Sequence, residues 1–348
     1  MGEGAFSRAA WRLIPFMGLL YVVNYLDRVN VSFAALTMNR DLGLSSAAYG
    51  FGAGIFFLGY FLFEVPSNAI LMRVGARRWI FRIMISWGAV SMTMAFARTA
   101  PTFYALRFLQ GVSEAGFFPG MILYLTFWFP AATRARFNAL FLGSIVVANI
   151  VGSPLSGAIL GLHGLWGLHG WQWLFLIEGL PACALASAVL KFLPDGPAQA
   201  TFLSAAEKQT IATRLAAERP AAPKSPWPGL YDPQVLLLGL AGTGINAAIF
   251  GNQLWLPQIV KSLGYSNLTT GFIVSLPYML GIPIMLLVAR SSDRRGERVW
   301  HTGIPLMVTA AGFTVAALAH NPFVVIAGLF AVVWGLVGTY GPYYSLAS

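Results

Sequence analysis

Four charged side chains lie inside apolar stretches of this chain, where a charge is costly. Asp27 and Arg28 are neighbours in the first stretch, and Arg107 and Glu114 lie in a later one. A charge at the centre of a membrane helix costs about 2.5–3.5 kcal/mol or more, so it persists mainly where it faces a protein interior or a water-filled cavity. An Arg can hold a carboxylate through two hydrogen bonds, and an acid in a partly dry cavity can exchange a proton. The four residues therefore indicate a buried site for an anion and for protons.

The spacing of these residues limits how they can share one site. Arg107 and Glu114 are two helical turns apart, which returns them to nearly the same face with about 10.5 Å between them along the axis. Adjacent helical residues point about 100° apart, so Asp27 and Arg28 both face one cavity only if they straddle its wall. The alternative is a structural network in which each Arg is permanently paired with an acid.

The composition predicts the elements that must position these side chains. Of 348 residues, 57% are hydrophobic and 10% are charged, and the mean hydropathy is +0.69, whereas a soluble domain carries about 25% charged residues. We therefore expect an all-α integral membrane protein that crosses the lipid bilayer many times. A spanning helix needs about 20 apolar residues. Ten such stretches begin near Trp11, Ala47, Trp79, Pro101, Phe137, Trp171, Pro233, Leu268, Thr302 and Pro322.

The placement of the basic residues predicts the orientation. The formal net charge is +10, but only Arg40, Arg98 and Lys261 fall on one side of the predicted membrane. Apart from Arg28 and Arg107, the other basic residues fall on the opposite side, as the positive-inside rule describes for cytoplasmic loops. The N-terminus and the central loop are thus predicted to be cytoplasmic, and the basic charge does not indicate a nucleic-acid partner.

The sequence argues against enzyme chemistry. It has one cysteine, Cys183, and no Cys/His cluster that would indicate a metal site. Gly242-Thr-Gly-Ile-Asn-Ala247 resembles a dinucleotide fingerprint only superficially, because the strand and βαβ setting that give that motif its meaning are missing. We expect no cofactor, no metal and no catalytic residue.

One polar stretch divides the chain. Residues 194–232 contain the capping box Ser204-x-x-Glu207, which predicts a short charged helix to about Glu218. We expect a six-helix bundle over 1–193, a cytoplasmic linker over 194–232 and a second bundle over 233–348. A repeat supports this division, because Met72–Trp79 and Asp293–Trp300 share Arg, Gly, Arg and Trp in register. The glycine patterns, among them Gly116-x-x-x-Gly120, predict close helix packing.

An ordered set of motifs extends over nearly the whole chain. The motifs are Asn24–Phe33, Val74–Arg78, Glu114–Gly120, Trp128–Pro130 with Arg134–Arg136, and Gly170–Trp173 with Glu178–Pro181. This set resembles the anion:cation symporter family of the major facilitator superfamily, specifically its tartrate-, phthalate- and hydroxyphenylacetate-type bacterial permeases. That family has twelve helices, so the resemblance implies a C-terminal bundle here of helices 7–10, with helices 11 and 12 absent through truncation.

The resemblance also implies roles for individual residues. Arg28 and Arg107 are expected to bind the substrate carboxylate, while Asp27 and Glu114 carry the coupled protons. The family pattern places Tyr25 and Tyr60 at the substrate. Further predicted contacts are Asn246 and Gln253 on the seventh helix and Tyr343 and Tyr344 on the tenth, although packing is an equal alternative for each of these.

The same resemblance places a gate on the two basic loops. Its expected residues are Glu64, Arg73, Arg77, Asp293 and Arg294. Superfamily members usually carry an acid where Met72 stands, and here the acid is kept only in the second copy, at Asp293. We therefore expect a weaker or different gate, or compensation by Glu64.

The predicted function is proton-coupled symport of a small organic anion, a hydroxy- or aromatic carboxylate, by alternating access. The protein is expected to act as a monomer in a bacterial inner membrane. The alternatives are a proton-coupled efflux antiporter of the same superfamily and an inert truncated fragment. Two Arg residues in the membrane argue against a cationic substrate.

Overall fold

Long helices joined by short turns make up nearly all of the chain in the computed structural model, which describes residues 2–217 and 231–346. The α-helices are α1 (Gly2–Asp41), α2 (Ser46–Val74), α3 (Ala76–Thr93), α4 (Ala100–Glu114), α5 (Phe117–Thr126), α6 (Ala131–Ile159), α7 (Gly170–Phe192), α8 (Ala205–Ala217), α9 (Pro233–Ser262), α10 (Asn267–Arg295), α11 (Val299–Leu318) and α12 (Pro322–Leu346).

Nine helices of the described ranges are long and apolar enough to cross a membrane. They are α1, α2, α3 with its short 3-10 extension, α6, α7 and α9–α12. The stretch from Pro101, expected as one of ten spans, is not among these nine because it is divided into α4 and α5. The break lies at Gly116, whose φ of +86° is a conformation that glycine adopts without strain and other residues rarely adopt. Glu114 is consequently the last residue of α4.

The chain forms two compact units. One comprises Met1–Ala148 and Leu162–Ala221, and the other comprises Asn149–Gly161 and Ala222–Ser348. The C-terminal part of α6 therefore belongs to the second unit together with α9–α12. The predicted domain bounds, 1–193 and 233–348, stay a prediction.

Glycines bring α2 and α4 of the first unit into backbone contact. A Cβ at Gly111 would lie 2.1 Å from the carbonyl oxygen of Phe56, and one at Gly59 would lie 2.5 Å from that of Phe108. Real Cβ atoms do not approach other atoms this closely, so the two helices can pack at this distance only with glycine at both positions. This contact holds Phe56 and Tyr60 of α2 beside the polar face of α4.

Glycines also set the packing within the second unit. A Cβ at Gly335 of α12 would lie 2.3 Å from the carbonyl oxygen of Pro305 on α11. In the segment of α6 that belongs to this unit, a Cβ at Gly157 would lie 2.5 Å from the carbonyl oxygen of Asn267 on α10. A small apolar core joins α9 and α12 and consists of Ile245, Ile249, Val332 and Leu336.

The predicted repeat has the same backbone feature in both copies. Gly75 joins α2 to α3 with a φ of +96°, and Gly296 ends α10 with a φ of +62°. An acid then caps the helix that follows each turn. In the first unit, Asp195 accepts a hydrogen bond from the backbone N–H of Arg77 at 2.8 Å. In the second, Glu297 accepts from the backbone N–H of Trp300 at 2.7 Å.

The predicted capping box is confirmed. The carboxylate of Glu207 accepts from the backbone N–H of Ser204 at 2.9 Å, and the Ser204 hydroxyl accepts from the backbone N–H of Glu207 at 3.3 Å. The helix that they open, α8, runs to Ala217. The predicted end at Glu218 lies outside the described residues.

Candidate functional site

An ion pair inside the first unit joins α1 to α4. The Nε of Arg28 donates a charge-assisted hydrogen bond to Oε1 of Glu114. The Glu114 side chain is fully buried and that of Arg28 is 13% exposed. Because α4 ends at Glu114, this carboxylate lies at the break between α4 and α5.

Arg107, two turns earlier on α4, is held differently. Its side chain is buried, and its Nη1 donates to the amide oxygen of Gln110 at 2.8 Å. No carboxylate of residues 2–217 or 231–346 forms an ion pair with it. Its Nε is buried and has no hydrogen-bond partner among those residues. Arg107 is therefore a buried cation that no acid of the described part of the chain contacts directly, although Glu114 and Asp27 lie within electrostatic range of it.

One aromatic ring contacts both guanidinium groups. The Cζ of Arg107 lies 4.7 Å from the centroid of the Phe56 ring, and the Cζ of Arg28 lies 5.8 Å from it. Arg28 also lies 5.0 Å from the Tyr60 ring. Cations within about 6 Å of a ring face are stabilised by its quadrupole. The two predicted anion-binding residues, Arg28 and Arg107, thus lie against the same side chain, Phe56.

Several polar atoms of this cluster are buried without a hydrogen-bond partner in the described residues. Donors and acceptors are both represented, and buried polar groups in proteins are normally satisfied by protein, water or ligand. These atoms are Nη2 of Arg28, Oε2 of Glu114, Nε of Arg107, Nε2 of Gln110 and both amide atoms of Asn24.

Asp27 faces a different helix from its neighbour Arg28. Its Oδ2 accepts from Nε1 of Trp87 at 2.7 Å, and its Oδ1 accepts from Oγ of Ser91 at 2.7 Å, both on α3. Asn30 of α1 donates to the same Oδ1 at 2.9 Å. The structure therefore brings Arg28, Arg107 and Glu114 together and ties Asp27, which is fully buried, to α3 through neutral donors.

The remaining candidates of the first unit differ in their burial. Tyr25 is 3% exposed and packs edge-on against the Tyr21 ring at 6.2 Å. Tyr60 is half-buried and contacts Arg28, as described above. Glu64 is half-buried on α2, within electrostatic range of Arg28 and without an ion pair among the described residues.

Compensation by Glu64 for the acid missing at Met72 was one of the expected alternatives, and it stays a prediction. The acid that contacts the loop between α2 and α3 is Asp195, through the backbone of Arg77. The side chains of Arg73 and Arg77 are exposed. In the second unit, Asp293 pairs with Arg298 at 2.7 Å, and Arg294 is exposed.

The predicted substrate contacts in the second unit differ in how exposed their side chains are. Asn246 is exposed, and its Nδ2 donates to the carbonyl of Gly242 on the preceding turn at 2.8 Å. Gln253 is half-buried, and Tyr344 is 54% exposed. Tyr343 ties α12 to α9, because its hydroxyl donates to the carbonyl of Leu238 at 2.9 Å.

Sequence reasoning missed several residues of these clusters. Gln110 lies one turn from Arg107, a spacing that could have identified it. Asn252 is the buried amide of α9, at 4% exposure, next to the predicted Gln253. Phe56, Trp87 and Ser91 carried no sequence signal, since aromatic and small residues are common in membrane helices. Within the described ranges, no group of three or more His, Cys, Asp or Glu is arranged to hold a metal ion.

Comparison with known proteins identifies the class of this fold and site. The Major Facilitator Superfamily profile matches residues 17–348. A solved structure of a bacterial homologue of the human lysosomal transporter Spinster, inward-facing and unoccupied, has a TM-score of 0.78 with 16% identity, and the match covers 97% of this chain and 75% of that one. The chain therefore belongs to the Major Facilitator Superfamily. It is a multi-pass membrane transporter and not an enzyme.

Two relatives are similar to this chain over nearly its whole length. An Agrobacterium vitis protein named "Putative tartrate transporter" is 49% identical over 342 residues, which cover 97% of this chain and 76% of that protein. An Acinetobacter baumannii protein named "Quinolone resistance transporter" is 40% identical over 341 residues, which cover 97% and 79% respectively.

Proposed function

We propose that this transporter moves a small organic anion, a hydroxy- or aromatic carboxylate, together with protons. The observation that carries the proposal is Arg107, a buried cation without an acidic partner in the described residues. Burying an unpaired charge costs several kcal/mol. A substrate carboxylate would balance this charge and accept a hydrogen bond from the free Nε edge. The tartrate named for the 49% identical relative is an anion of this kind.

The ion pair between Arg28 and Glu114 supplies the proposed coupling. While Glu114 is ionised it competes with the substrate carboxylate for Arg28. Protonation of Glu114 removes this competition, so that Arg28 and Arg107, which share the Phe56 ring, both become available to the anion. Anion and proton then favour each other's binding, and by linkage the effect is reciprocal. Such cooperative binding favours the carrier loaded with both anion and proton, which is the form that symport moves.

Asp27 is also proposed to carry a proton, by a mechanism that differs from that of Glu114. Its oxygens accept three hydrogen bonds, two of them from α3. A protonated carboxyl accepts hydrogen bonds more weakly than a carboxylate does. Protonation of Asp27 would therefore loosen α1 from α3, which links a proton to a change in helix packing.

The other predicted roles stay predictions. The predicted substrate contacts are Tyr25, Tyr60, Asn246, Gln253 and Tyr344. The predicted gate residues are Glu64, Arg73, Arg77, Asp293 and Arg294.

The cellular setting is part of the same proposal. The basic loops favour an N-terminus in the cytoplasm of a bacterium, with the transporter in the inner membrane. The protein would act as a monomer by alternating access, driven by the proton gradient, since moving one charge across the membrane yields about 2.3 kcal/mol per 100 mV.

Proton-coupled efflux is the second candidate, because a relative at 40% identity is named for quinolone resistance. Purified protein in liposomes distinguishes the two directions of coupling. With an acidic exterior, symport predicts that labelled tartrate or a related carboxylate accumulates inside and that a protonophore abolishes the accumulation. Accumulation only with an acidic lumen would instead establish antiport. Liposomes without protein control for leakage.

A further inference from the structure

The exposed side of the first three turns of α1 forms a basic groove in the first unit, away from the cluster around Arg107. Its volume is about 500 Å³, it is open to solvent, and one residue of the linker lines it. Five lining residues come from α1 and one from the segment before α8. They are Gly4, Ser7, Arg8, Trp11, Arg12 and Phe202.

Three cations lie around this groove, with one acid beside them. Arg8 forms an ion pair with Glu207 of α8 at 3.2 Å, and its side chain is 59% exposed. Arg12 lies 5.3 Å from the centroid of the Phe192 ring, and Nζ of Lys191 lies 5.6 Å from the same centroid. Arg12 and Lys191 form no ion pair within the described ranges. The groove is therefore positively charged and retains donors that no acid occupies.

The exposed side of α1 changes in character along its axis. Ser7, Arg8 and Arg12 are exposed in the first turns together with Trp11, which is 80% exposed. The exposed side continues with Leu19, which is 47% exposed and lies about 10.5 Å further along the axis than Arg12. Arg8, Trp11 and Arg12 thus combine basic groups with an indole in the first turns, and an aliphatic surface follows them along the helix. A phospholipid likewise presents its headgroup and interfacial region first and its acyl chains after them. Trp is the residue enriched at the interface level.

We propose that this groove binds the headgroup of an anionic phospholipid, with Arg8 and Arg12 on the phosphodiester and Trp11 at the level of the glycerol. The guanidinium fork suits phosphate oxygens, and basic pockets beside membrane helices recognise such headgroups. A free phosphate would satisfy the arginines but would leave Trp11 and the aliphatic surface without a role. Glu207 of the linker helix α8 is paired with Arg8. A bound phosphodiester therefore competes with Glu207 for Arg8, and lipid binding affects the contact between α1 and the linker.

Native mass spectrometry of the purified full chain tests this site. The probes are phosphatidylglycerol and phosphatidylcholine with identical acyl chains, and inorganic phosphate as competitor. Phosphatidylglycerol should bind more tightly than phosphatidylcholine, and each arginine removed should weaken it about fivefold. Arg8→Ala with Arg12→Ala is the main variant, and Arg12→Ala alone leaves the ion pair to Glu207 intact. Arg40→Ala with Arg98→Ala removes the same charge from exposed positions elsewhere.

The proposal requires that the Arg40/Arg98 variant binds phosphatidylglycerol like the parent, while both Arg12 variants bind it more weakly. It also requires that Trp11→Ala weakens binding of phosphatidylglycerol. Equal binding of the two lipids, unchanged binding in both Arg12 variants, or displacement of the lipid by millimolar inorganic phosphate would overturn it.

Discussion

Glu114 closes α4 and accepts the Nε–H of Arg28 from α1, 86 positions away in sequence. The acid is therefore not the partner of Arg107, although Arg107 lies on the same helix two turns earlier. One of the two guanidinium groups contacts an acid directly and the other does not. The predictions below follow from this asymmetry and from the packing that maintains it.

Replacement of Glu114 by Gln should uncouple transport from protons. The variant removes the acid that competes with substrate for Arg28, so uptake against a gradient is expected to be lost while counterflow exchange persists. Uptake and counterflow in liposomes measure the two activities separately. Glu178→Gln, which neutralises a buried acid on α7, is the control and should keep uphill uptake. Full uphill uptake by Glu114→Gln would exclude the proton role of this residue.

Asp27 is tested through its partners on α3. Trp87→Phe replaces the indole by a smaller aromatic ring and deletes a hydrogen bond to the carboxylate, which is worth about 1.5–3 kcal/mol for a charged acceptor. We expect a lower Tm in this variant and a proton dependence of uptake that differs from that of the parent. Trp171→Phe, which deletes an indole hydrogen bond to Asp41 at 3.0 Å, controls for the loss of an indole N–H. If Asp27→Asn and Trp87→Phe both transport with the parent's pH profile, Asp27 has a packing role only.

Gly59→Ala should loosen α2 from α4 and so disturb the site indirectly. A new Cβ would meet the carbonyl oxygen of Phe108 at 2.5 Å, and such overpacking costs about 1–3 kcal/mol. Gly54→Ala on the same helix has no atom within 4 Å of its new Cβ and serves as the matched control. Thermal unfolding should show a lower Tm for Gly59→Ala and an unchanged or higher Tm for Gly54→Ala, since Ala favours the helix. The same Tm in both variants would contradict the described contact.

Glu297, at the start of α11, should contribute to the stability of the fold in a pH-dependent way. The backbone N–H of Trp300 has the largest effect on the pKa of this carboxyl and lowers it. Desolvation opposes this effect, and weaker contributions from the His301 side chain and backbone help to keep the pKa below its ordinary value of 4.5. A lowered folded-state pKa stabilises the fold above pH 4.5, and this contribution is lost as the pH falls through the folded value. Glu297→Gln should therefore melt below the parent at pH 7, and the difference should narrow below pH 4.5. A difference that does not change with pH would point to lost packing instead.

The sequence predicted what depends on short-range pattern. Apolar length located the spans, the Ser204/Glu207 spacing located α8, and the repeat located two turns whose glycines, Gly75 and Gly296, both have a positive φ. The break at Gly116 was missed, because a glycine in Gly-x-x-x-Gly packs helices in most settings and gives no sign of its own φ. In fact Gly116 does both, since a Cβ there would lie 2.2 Å from Oγ of Ser67 on α2.

The partners within the candidate site could not be read from spacing. Helical spacing relates residues of one helix, so it aligned Arg107 with Glu114 but could not show that Glu114 faces Arg28. The rotation of a helix that is apolar on all sides carries no sequence signal either. For this reason the sequence did not indicate that Asn252 is the buried amide of α9, while Asn246 and Gln253 stay predicted contacts.

The most direct test of the account is carboxylate binding by Arg107→Gln, with Arg98→Gln, an exposed arginine, as control. Because Arg107 is buried without an acid in the described residues, the variant without ligand should melt at the parent's Tm or above it. It should also bind the transported carboxylate roughly 10- to 100-fold more weakly, as the loss of a charged hydrogen bond requires. Isothermal titration calorimetry and thermal unfolding of the same samples measure both quantities. A Kd equal to that of the parent, in a variant that remains folded, would contradict the assignment of Arg107 as the anion-binding residue.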